Sequence, residues 1–216
     1  MTTAKRPSDS AASAHERVYR SLRQQIMHGD LPPGQALTLR GIGTQFAVSM
    51  TPAREAVRRL VAEGALTLSA SGRVTTPEVG PERIEELAAI RALLEPELAA
   101  RALPRAYPAL IDRLRTINSH VDQTIVKRDS VGYVRANLEF HRTLYLRAQA
   151  PAMLALVETV WLQLGPTMRQ LYANMQQGGR LGHHLEILRT LSAGDEAALR
   201  LAVRKDVTQG LRMLIA

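Results

Sequence analysis

The fold is decided first by residues 48–66, which read Val48-Ser49-Met50-Thr51-Pro52-Ala53-Arg54-Glu55-Ala56-Val57-Arg58-Arg59-Leu60-Val61-Ala62-Glu63-Gly64-Ala65-Leu66. Ser49 or Thr51 can accept a hydrogen bond from a free amide of a first helical turn, and Pro52 fits that turn because it needs no N–H there. Gly64 suits the left-handed conformation that ends many helices. The stretch therefore predicts a capped helix.

This helix has two different faces. An apolar stripe recurs at helical spacing and is formed by Ala53, Ala56, Val57, Leu60 and Val61. Arg54 and Arg58 lie one turn apart on another face, where two guanidinium groups can meet bases or phosphates. Glu55 and Arg59 have the spacing of a surface ion pair. We interpret the helix as the recognition helix of a DNA-binding domain.

The neighbouring segments complete a winged helix-turn-helix. A helix is predicted over 14–28 and ends at Gly29, and Thr38 can cap a short second helix before the turn at 47–49. Residues 66–69 and 73–76 have β-forming side chains around a turn that contains Gly72. A small hairpin after a helix-turn-helix is typical of a wing.

The chain is long enough for two domains, with 216 residues of which 45% are apolar. We expect a disordered tail over 1–13, the winged domain over 14–76, and a linker over 77–81, where proline and glycine discourage regular structure. Residues 82–216 have no strand pattern and predict an all-α bundle. Its helices are expected at 82–103, 106–129, 131–149, 151–177 (kinked or broken at Gly165-Pro166), 180–193 and 195–213. The fold class is therefore mainly α.

Composition excludes several classes of protein. The chain has no cysteine, which rules out disulfides, thiolate metal sites and cysteine nucleophiles. No apolar run approaches the roughly 20 residues that cross a bilayer, and the polar N-terminus lacks the core of a secretory signal. The net charge of +8 suits a polyanionic partner. We expect a cytoplasmic protein without a membrane partner.

Polar side chains interrupt the apolar stripes of the second domain. Asn137 and His141 lie one turn apart on one inward face, His184 lies on another, and Asp206 lies on the last predicted helix. Imidazoles and a carboxylate inside a bundle can hold a divalent metal such as zinc, nickel or manganese, with open positions for a bound carboxylate. The alternatives are a metal-free polar network that orients an organic effector, or core histidines with satisfied hydrogen bonds.

Arg91 flanks the apolar stripe of the first predicted helix of the bundle. It can hold an anionic effector, or it can instead pair with Glu95 at i+4.

Two groups of motifs resemble a known family. In the first domain they are Ile26-x-x-Gly29-x-Leu31-x-Pro33-Gly34 and Ser49-x-Thr51-Pro52-x-Arg54-Glu55-Ala56-x-x-Arg59-Leu60-x-x-Glu63-Gly64; in the second they are Asn137-x-x-Phe140-His141-x-x-Leu144-Tyr145 and His184-x-x-Ile187-Leu188-x-x-Leu191-x-x-Gly194-Asp195-x-x-Ala198. Together they resemble GntR-type transcription regulators of the FadR/FCD subfamily, VanR-like in the length of the helical domain. The resemblance implies a homodimer that binds a palindromic operator and senses a small metabolite.

The resemblance also assigns site residues. The expected DNA-contacting residues are Arg40, Ser49, Met50, Thr51, Arg54, Arg58, Gly72 and Arg73. The family usually has arginine at the position of Met50, so the operator is expected to deviate at the base pair that this position contacts. The expected effector site comprises Arg91, Asn137, His141, His184 and Asp206, of which the last four are the candidate metal ligands. Asn137 replaces the usual aspartate, and Asp206 replaces the last of the usual three histidines.

The favoured function is therefore a metabolite-responsive DNA-binding regulator, a repressor as is most frequent in such families, with a small organic acid as effector. Effector binding would favour one placement of the two winged domains. One alternative is a helical metalloenzyme built on the same four polar residues, although no separate general base or nucleophile motif is present. The other is a constitutive DNA-binding protein with a vestigial pocket.

Overall fold

The computed structural model describes the backbone of residues 7–175 and 183–212. Side chains are described for 14–170 and 183–211. The ends of three predicted helices, at 176–177, 180–182 and 213, lie outside the described residues, as does the predicted tail over 1–6.

The first helix, α1, spans Pro7–Met27 and begins before the predicted boundary at residue 14. Residues 7–13 were expected to be disordered, but the structure places them in this helix. Proline is well suited to a first helical turn, and the alanines that follow favour helix, so the residues are locally compatible with this extension. Gly29 has a positive φ of 69° just beyond the helix, as its predicted role as a stop requires.

The winged domain continues with β1 (Ala36–Leu37), α2 (Leu39–Phe46), α3 (Met50–Ala62), β2 (Thr67–Leu68) and β3 (Val74–Thr75). Thr38 caps α2 as predicted, because its Oγ1 accepts a hydrogen bond of 3.0 Å from the Gly41 amide. The predicted hairpin is present, but the sheet has a third strand that the sequence pattern did not indicate. Its order is β1-β3-β2, with both pairs antiparallel.

The second domain contains α4 (Pro81–Ala102), α5 (Pro108–Val126), α6 (Ser130–Tyr145), α7 (Pro151–Met175), α8 (His183–Ala193) and α9 (Glu196–Arg212). Short 3-10 turns at Leu103–Arg105 and Leu146–Ala148 follow α4 and α6. Helices α4 and α9 pack together along their lengths, and α5 packs on α6. No strand occurs among the described residues of this domain, which agrees with the predicted all-α bundle.

Helix α7 passes through Gly165 and Pro166 as one element, so of the two predicted alternatives, a kink or a break, the break is wrong. Pro166 removes one backbone N–H from the helix. The side chains around it, including Trp161, Leu162, Leu164 and Met168, are all buried. Burial of this apolar surface on both sides of the proline outweighs the lost backbone hydrogen bond.

The winged domain docks on α7 and α6. Gln163 Nε2 donates to the Glu63 carbonyl at 3.2 Å, and Arg135 forms hydrogen bonds of 2.7 and 2.8 Å with both carboxylate oxygens of Asp30. At Gly165 the two backbones touch so closely that a Cβ would lie 2.1 Å from the Ile26 carbonyl oxygen. The close approach of α1 and α7 therefore depends on glycine at position 165.

Within the described residues, no helix combines the length and the apolarity that crossing a bilayer requires.

Candidate functional site

Helix α3 presents an exposed polar face. Its apolar residues Ala53, Ala56 and Leu60 are fully buried against the domain core. Arg54 and Arg58 lie on the exposed face, and the Arg58 side chain keeps 72% of its area accessible despite a loose 3.5 Å ion pair with Glu55. Both guanidinium groups are therefore free to contact a large polar partner without unpacking the domain.

Arg59 behaves differently from the prediction, which paired it with Glu55. Its Nε lies 3.3 Å from Glu63, its Nη1 lies 3.1 Å from Glu16, and its guanidinium stacks over the Tyr19 ring at 3.6 Å. The carboxylates of Glu16 and Glu63 and the Tyr19 ring hold the Arg59 guanidinium on the side of α1, while Glu55 pairs with Arg58 instead. Arg59 joins α3 to α1 and is not directed toward a partner.

The remaining residues expected to contact DNA surround α3. Ser49 is the N-cap residue of α3, but its side chain makes no capping hydrogen bond, contrary to one of the predicted alternatives. Met50 is 49% exposed at the first helical position, and Thr51 beside it is also exposed. Arg40 is exposed on α2. The N-terminus of α3 therefore presents free polar groups where a phosphate can bind.

The wing carries one more cation. Gly72 has a φ of 80° and allows a tight turn in which its amide donates to the Ser69 carbonyl at 2.9 Å. Ser69 Oγ also accepts from the Arg73 amide at 3.0 Å. These bonds fix the turn and leave the Arg73 side chain exposed at its end.

In the second domain, three predicted ligand residues meet in the bundle interior. His141 Nε2 lies 3.1 Å from Asp206 Oδ2 and 3.4 Å from His184 Nε2, and His184 Nε2 lies 4.0 Å from Asp206 Oδ1. His141 is fully buried, and the side chains of His184 and Asp206 are only 8% and 12% exposed. Phe140 stacks on the His184 ring at 3.9 Å between centroids. The cluster is therefore held on three helices, α6, α8 and α9.

The outer ring nitrogens of both histidines have hydrogen-bond partners. His184 Nδ1 lies 3.0 Å from Asn118 Oδ1, which can only accept, so Nδ1 carries the proton. His141 Nδ1 lies 3.1 Å from the Tyr145 hydroxyl, whose own proton is donated to Glu95 Oε2 at 2.9 Å. On the other side of the ring, His141 Nε2 faces the Asp206 carboxylate at 3.1 Å, and because an ionised carboxylate only accepts, His141 Nε2 carries a proton there. The bare His184 Nε2, the His141 Nε2 and the Asp206 carboxylate point at one place, where a bound cation would replace the His141 proton; this is the donor set of a cation site.

The charge states agree with this arrangement. Burial lowers the pKa of His184 to about 4, against an opposing effect of Asp206, so the imidazole is neutral at pH 7. Burial alone would raise the pKa of Asp206, but its hydrogen bond to His141 and the nearby positive charges prevail and lower the pKa to about 2. A neutral imidazole and an ionised carboxylate are the forms that bind metals.

Asn137, the fourth predicted ligand, is buried one turn before His141. It lines a small cavity together with Arg91, Tyr133 and Asp206. The cavity measures about 20 Å³, which is the space of one water molecule. An organic effector therefore needs the surrounding side chains to move before it can enter.

Arg91 takes the second of its two predicted roles. Its Nε and Nη2 donate to both carboxylate oxygens of Glu95, and both side chains are almost fully buried. Glu95 also accepts from Tyr145 Oη at 2.9 Å and Trp161 Nε1 at 3.1 Å. We call these four residues the Glu95 network. It neutralises Arg91 and connects His141, through Tyr145, to helix α7.

Comparison with known proteins identifies the two domains. Residues 14–74 match the model of the bacterial regulatory proteins of the gntR family, and residues 86–209 match the FCD domain. The chain belongs to the FCD group of GntR-family transcription regulators. These two matches confirm the family and the fold class that the motifs predicted, and the regulator is not a helical metalloenzyme.

Similar proteins support the same conclusion. The regulator is 29% identical over 202 residues to the HTH-type transcriptional regulator McbR of Escherichia coli (strain K12), covering 92% of this chain and 91% of that protein. The solved E. coli McbR/YncC structure has a TM-score of 0.83, with 27% identity over 94% of this chain and 97% of the other. The gluconate operon transcriptional repressor of Bacillus subtilis (strain 168) is 28% identical over 159 residues, 74% of this chain and 63% of that protein.

Sequence reasoning missed two parts of the site. Asn118 orients His184 from α5, and nothing in its local pattern pointed to a polar contact 66 positions away. The Glu95 network was foreseen only as a possible Arg91–Glu95 pair, although Tyr145 belongs to a family motif. A glutamate one turn after an arginine inside an apolar stripe was the available signal, because two buried charges require each other.

Proposed function

We propose that this regulator is a repressor that binds a palindromic operator as a homodimer. The exposed pair Arg54 and Arg58 on α3 carries the proposal. Helix α3 buries its apolar face and presents both guanidinium groups, with Ser49, Met50 and Thr51 at its N-terminus; Arg40 on α2 and Arg73 in the wing are also exposed. Guanidinium groups read guanine edges or bind phosphates, while a helix N-terminus binds phosphate.

Selection from random duplex oligonucleotides, followed by anisotropy titration at several salt concentrations, tests this proposal. We expect a two-fold symmetric consensus, a dimer on each site and affinity that falls steeply as salt rises. A monomeric complex, or selected sequences without symmetry, would contradict it. Transcription from a promoter that contains the selected site then distinguishes a repressor from an activator.

We also infer that His141, His184 and Asp206, with Asn137 beside them, hold a divalent metal such as zinc, nickel or manganese. The three first residues offer ligand atoms within 4.8 Å of one another, and the outer nitrogens of both rings are held by hydrogen bonds. A bound metal would supply positive charge and open coordination positions for the carboxylate of an organic acid. Arg91 also lines the small cavity, but its charge is already paired with Glu95.

Metal analysis of the purified protein and calorimetric titration of chelator-treated protein with zinc, nickel or manganese test this assignment. We expect one metal per chain, and a loss of at least tenfold in affinity for His184→Asn and for Asp206→Asn. The half-buried His183, adjacent to His184 but in contact with Gln209 at 2.6 Å, provides the matched control His183→Asn, which is expected to keep its affinity within twofold. Equal losses in all three variants, or binding without stoichiometry, would contradict the assignment.

A further inference from the structure

A second cavity lies where the winged domain meets the bundle. It measures about 680 Å³, within the usual size of small-molecule sites, and α1, α5, α6 and α7 all contribute to its walls. It does not involve the histidine site, whose residues line a separate small cavity. We call it the interdomain cleft. Clefts between domains are frequent ligand sites, because a ligand there contacts both domains at once.

The cleft has an apolar floor and a cationic rim. Met27, Leu138 and Trp161 lie among its lining residues and are all more than nine-tenths buried. Five arginines also line it, against two carboxylates, Glu139 and Glu158. The five are Arg20, Arg23, Arg113, Arg135 and Arg142. The lining therefore has an excess of positive charge above an apolar surface.

Not all of these arginines are neutralised by neighbours. Arg142 Nε lies 2.9 Å from Glu158, and Arg23 shares Glu158 at 3.9 Å and Glu63 at 3.5 Å. Arg113 on α5 forms no ion pair with any residue in the described part of the chain. Arg20 pairs with Glu16 and Arg135 pairs with Asp30, each at 2.7 Å. Among the five, Arg113 is therefore the arginine whose charge no described carboxylate neutralises, and Arg142 shares its carboxylate with Arg23, so the positive charge left for a ligand lies at this side of the cleft.

We propose that the interdomain cleft binds a small amphiphilic anion, with an aromatic or aliphatic body on the Met27–Leu138–Trp161 floor and an acidic group near Arg113 and Arg142. Such a ligand contacts α1 of the winged domain and α5 to α7 of the bundle. It would therefore stabilise the present placement of the two domains. The proposal depends neither on operator binding nor on a metal.

The test uses the full-length protein without DNA and two dyes that share one ring system. We expect 8-anilinonaphthalene-1-sulfonate to bind with one site per chain, and its uncharged analogue N-phenyl-1-naphthylamine to bind at least tenfold more weakly. Dye fluorescence measures both affinities. Equal affinity for the two dyes, or sulfonate binding that does not saturate, would overturn the proposal.

Matched variants locate the bound sulfonate. Arg113→Ala with Arg142→Ala is expected to weaken sulfonate binding at least tenfold. Arg204→Ala with Lys205→Ala removes the same charge from exposed positions of α9 outside the cleft, and is expected to change affinity less than twofold. If sulfonate binding weakened similarly in both double variants, the effect would come from the overall charge of the protein and not from the cleft, which would overturn the proposal.

The single variant Arg113→Gln guards against a folding defect, since this exposed side chain has no ion pair to lose within the described chain. We expect it to weaken sulfonate binding at least threefold with an unchanged urea unfolding midpoint. Unchanged sulfonate affinity in this variant would place the dye elsewhere and overturn the proposal.

Discussion

Replacing Glu95 with glutamine should be among the most costly single changes in the bundle. The carboxylate is fully buried and accepts hydrogen bonds from Arg91, Tyr145 and Trp161. The amide that replaces it carries no charge, so the Arg91 guanidinium is left buried without a counter-ion. Breaking a buried ion pair by removing one partner costs about 3–5 kcal/mol. We therefore expect Glu95→Gln to reduce the free energy of unfolding by about that amount.

Urea unfolding followed by far-UV circular dichroism measures the change without relying on Trp161, whose fluorescence the substitution alters. Glu97→Gln is the matched control on the same helix. Glu97 pairs with Arg101 and Arg200 at the surface and keeps 31% of its side chain exposed, so its loss should cost at most about 1 kcal/mol. Equal costs for the two variants would refute the reasoning about buried charge.

The double variant Arg91→Met with Glu95→Gln separates charge from packing. Methionine keeps much of the arginine stem but removes the uncompensated charge, so the double variant should recover part of the stability that Glu95→Gln loses. A double variant whose cost equals the sum of the two single costs would show that the pair has no electrostatic coupling.

Three other predictions concern different surfaces. Arg54→Ala with Arg58→Ala should weaken operator binding by about 1–3 kcal/mol per lost contact without changing the unfolding midpoint; unchanged anisotropy titrations would remove the assignment. In chelator-treated protein, the lowered pKa of His184 means that the unfolded chain takes up a proton first, so stability should fall by about 3 kcal/mol between pH 6.5 and 4; His184→Asn should remove that slope. Gly165→Ala should cost about 1–3 kcal/mol in urea unfolding, because its Cβ would meet the Ile26 carbonyl; an unaltered midpoint would refute this close approach.

The sequence predicts those parts of the winged domain whose signals lie within a short stretch of the chain. The α3 helix has its apolar spacing, its proline and its Gly64 end within twenty consecutive residues, and Gly64 indeed has a φ of 71°. Strand β1 was missed because Ala36 and Leu37 have no strand pattern of their own. They pair with Thr75 and Val74, nearly forty positions later. A two-residue strand is defined by its partner, not by its own composition.

In the histidine site, too, some features follow from local sequence and others depend on distant partners. The inward phase of His141, His184 and Asp206 follows from helical spacing, and the family motifs single out both histidines. Their relation to Asn118 and Glu95 depends instead on how whole helices cross, which periodicity cannot specify. Asn118 fixes the tautomer of His184, so the chemistry of the site could not be read from the ligands alone.

Helix α7 contacts both the Glu95 network of the bundle and the winged domain, which the sequence analysis considered separately. Trp161 donates to the Glu95 network, and within four residues Gln163 and Gly165 contact the winged domain. Proximity alone does not prove energetic coupling, since a two-state element must respond to both sites. The deciding measurement is operator affinity in Glu95→Gln with and without metal. A metal effect on operator affinity that is the same in this variant as in the wild type would show that the Glu95 network stabilises the bundle but carries no signal to the winged domain.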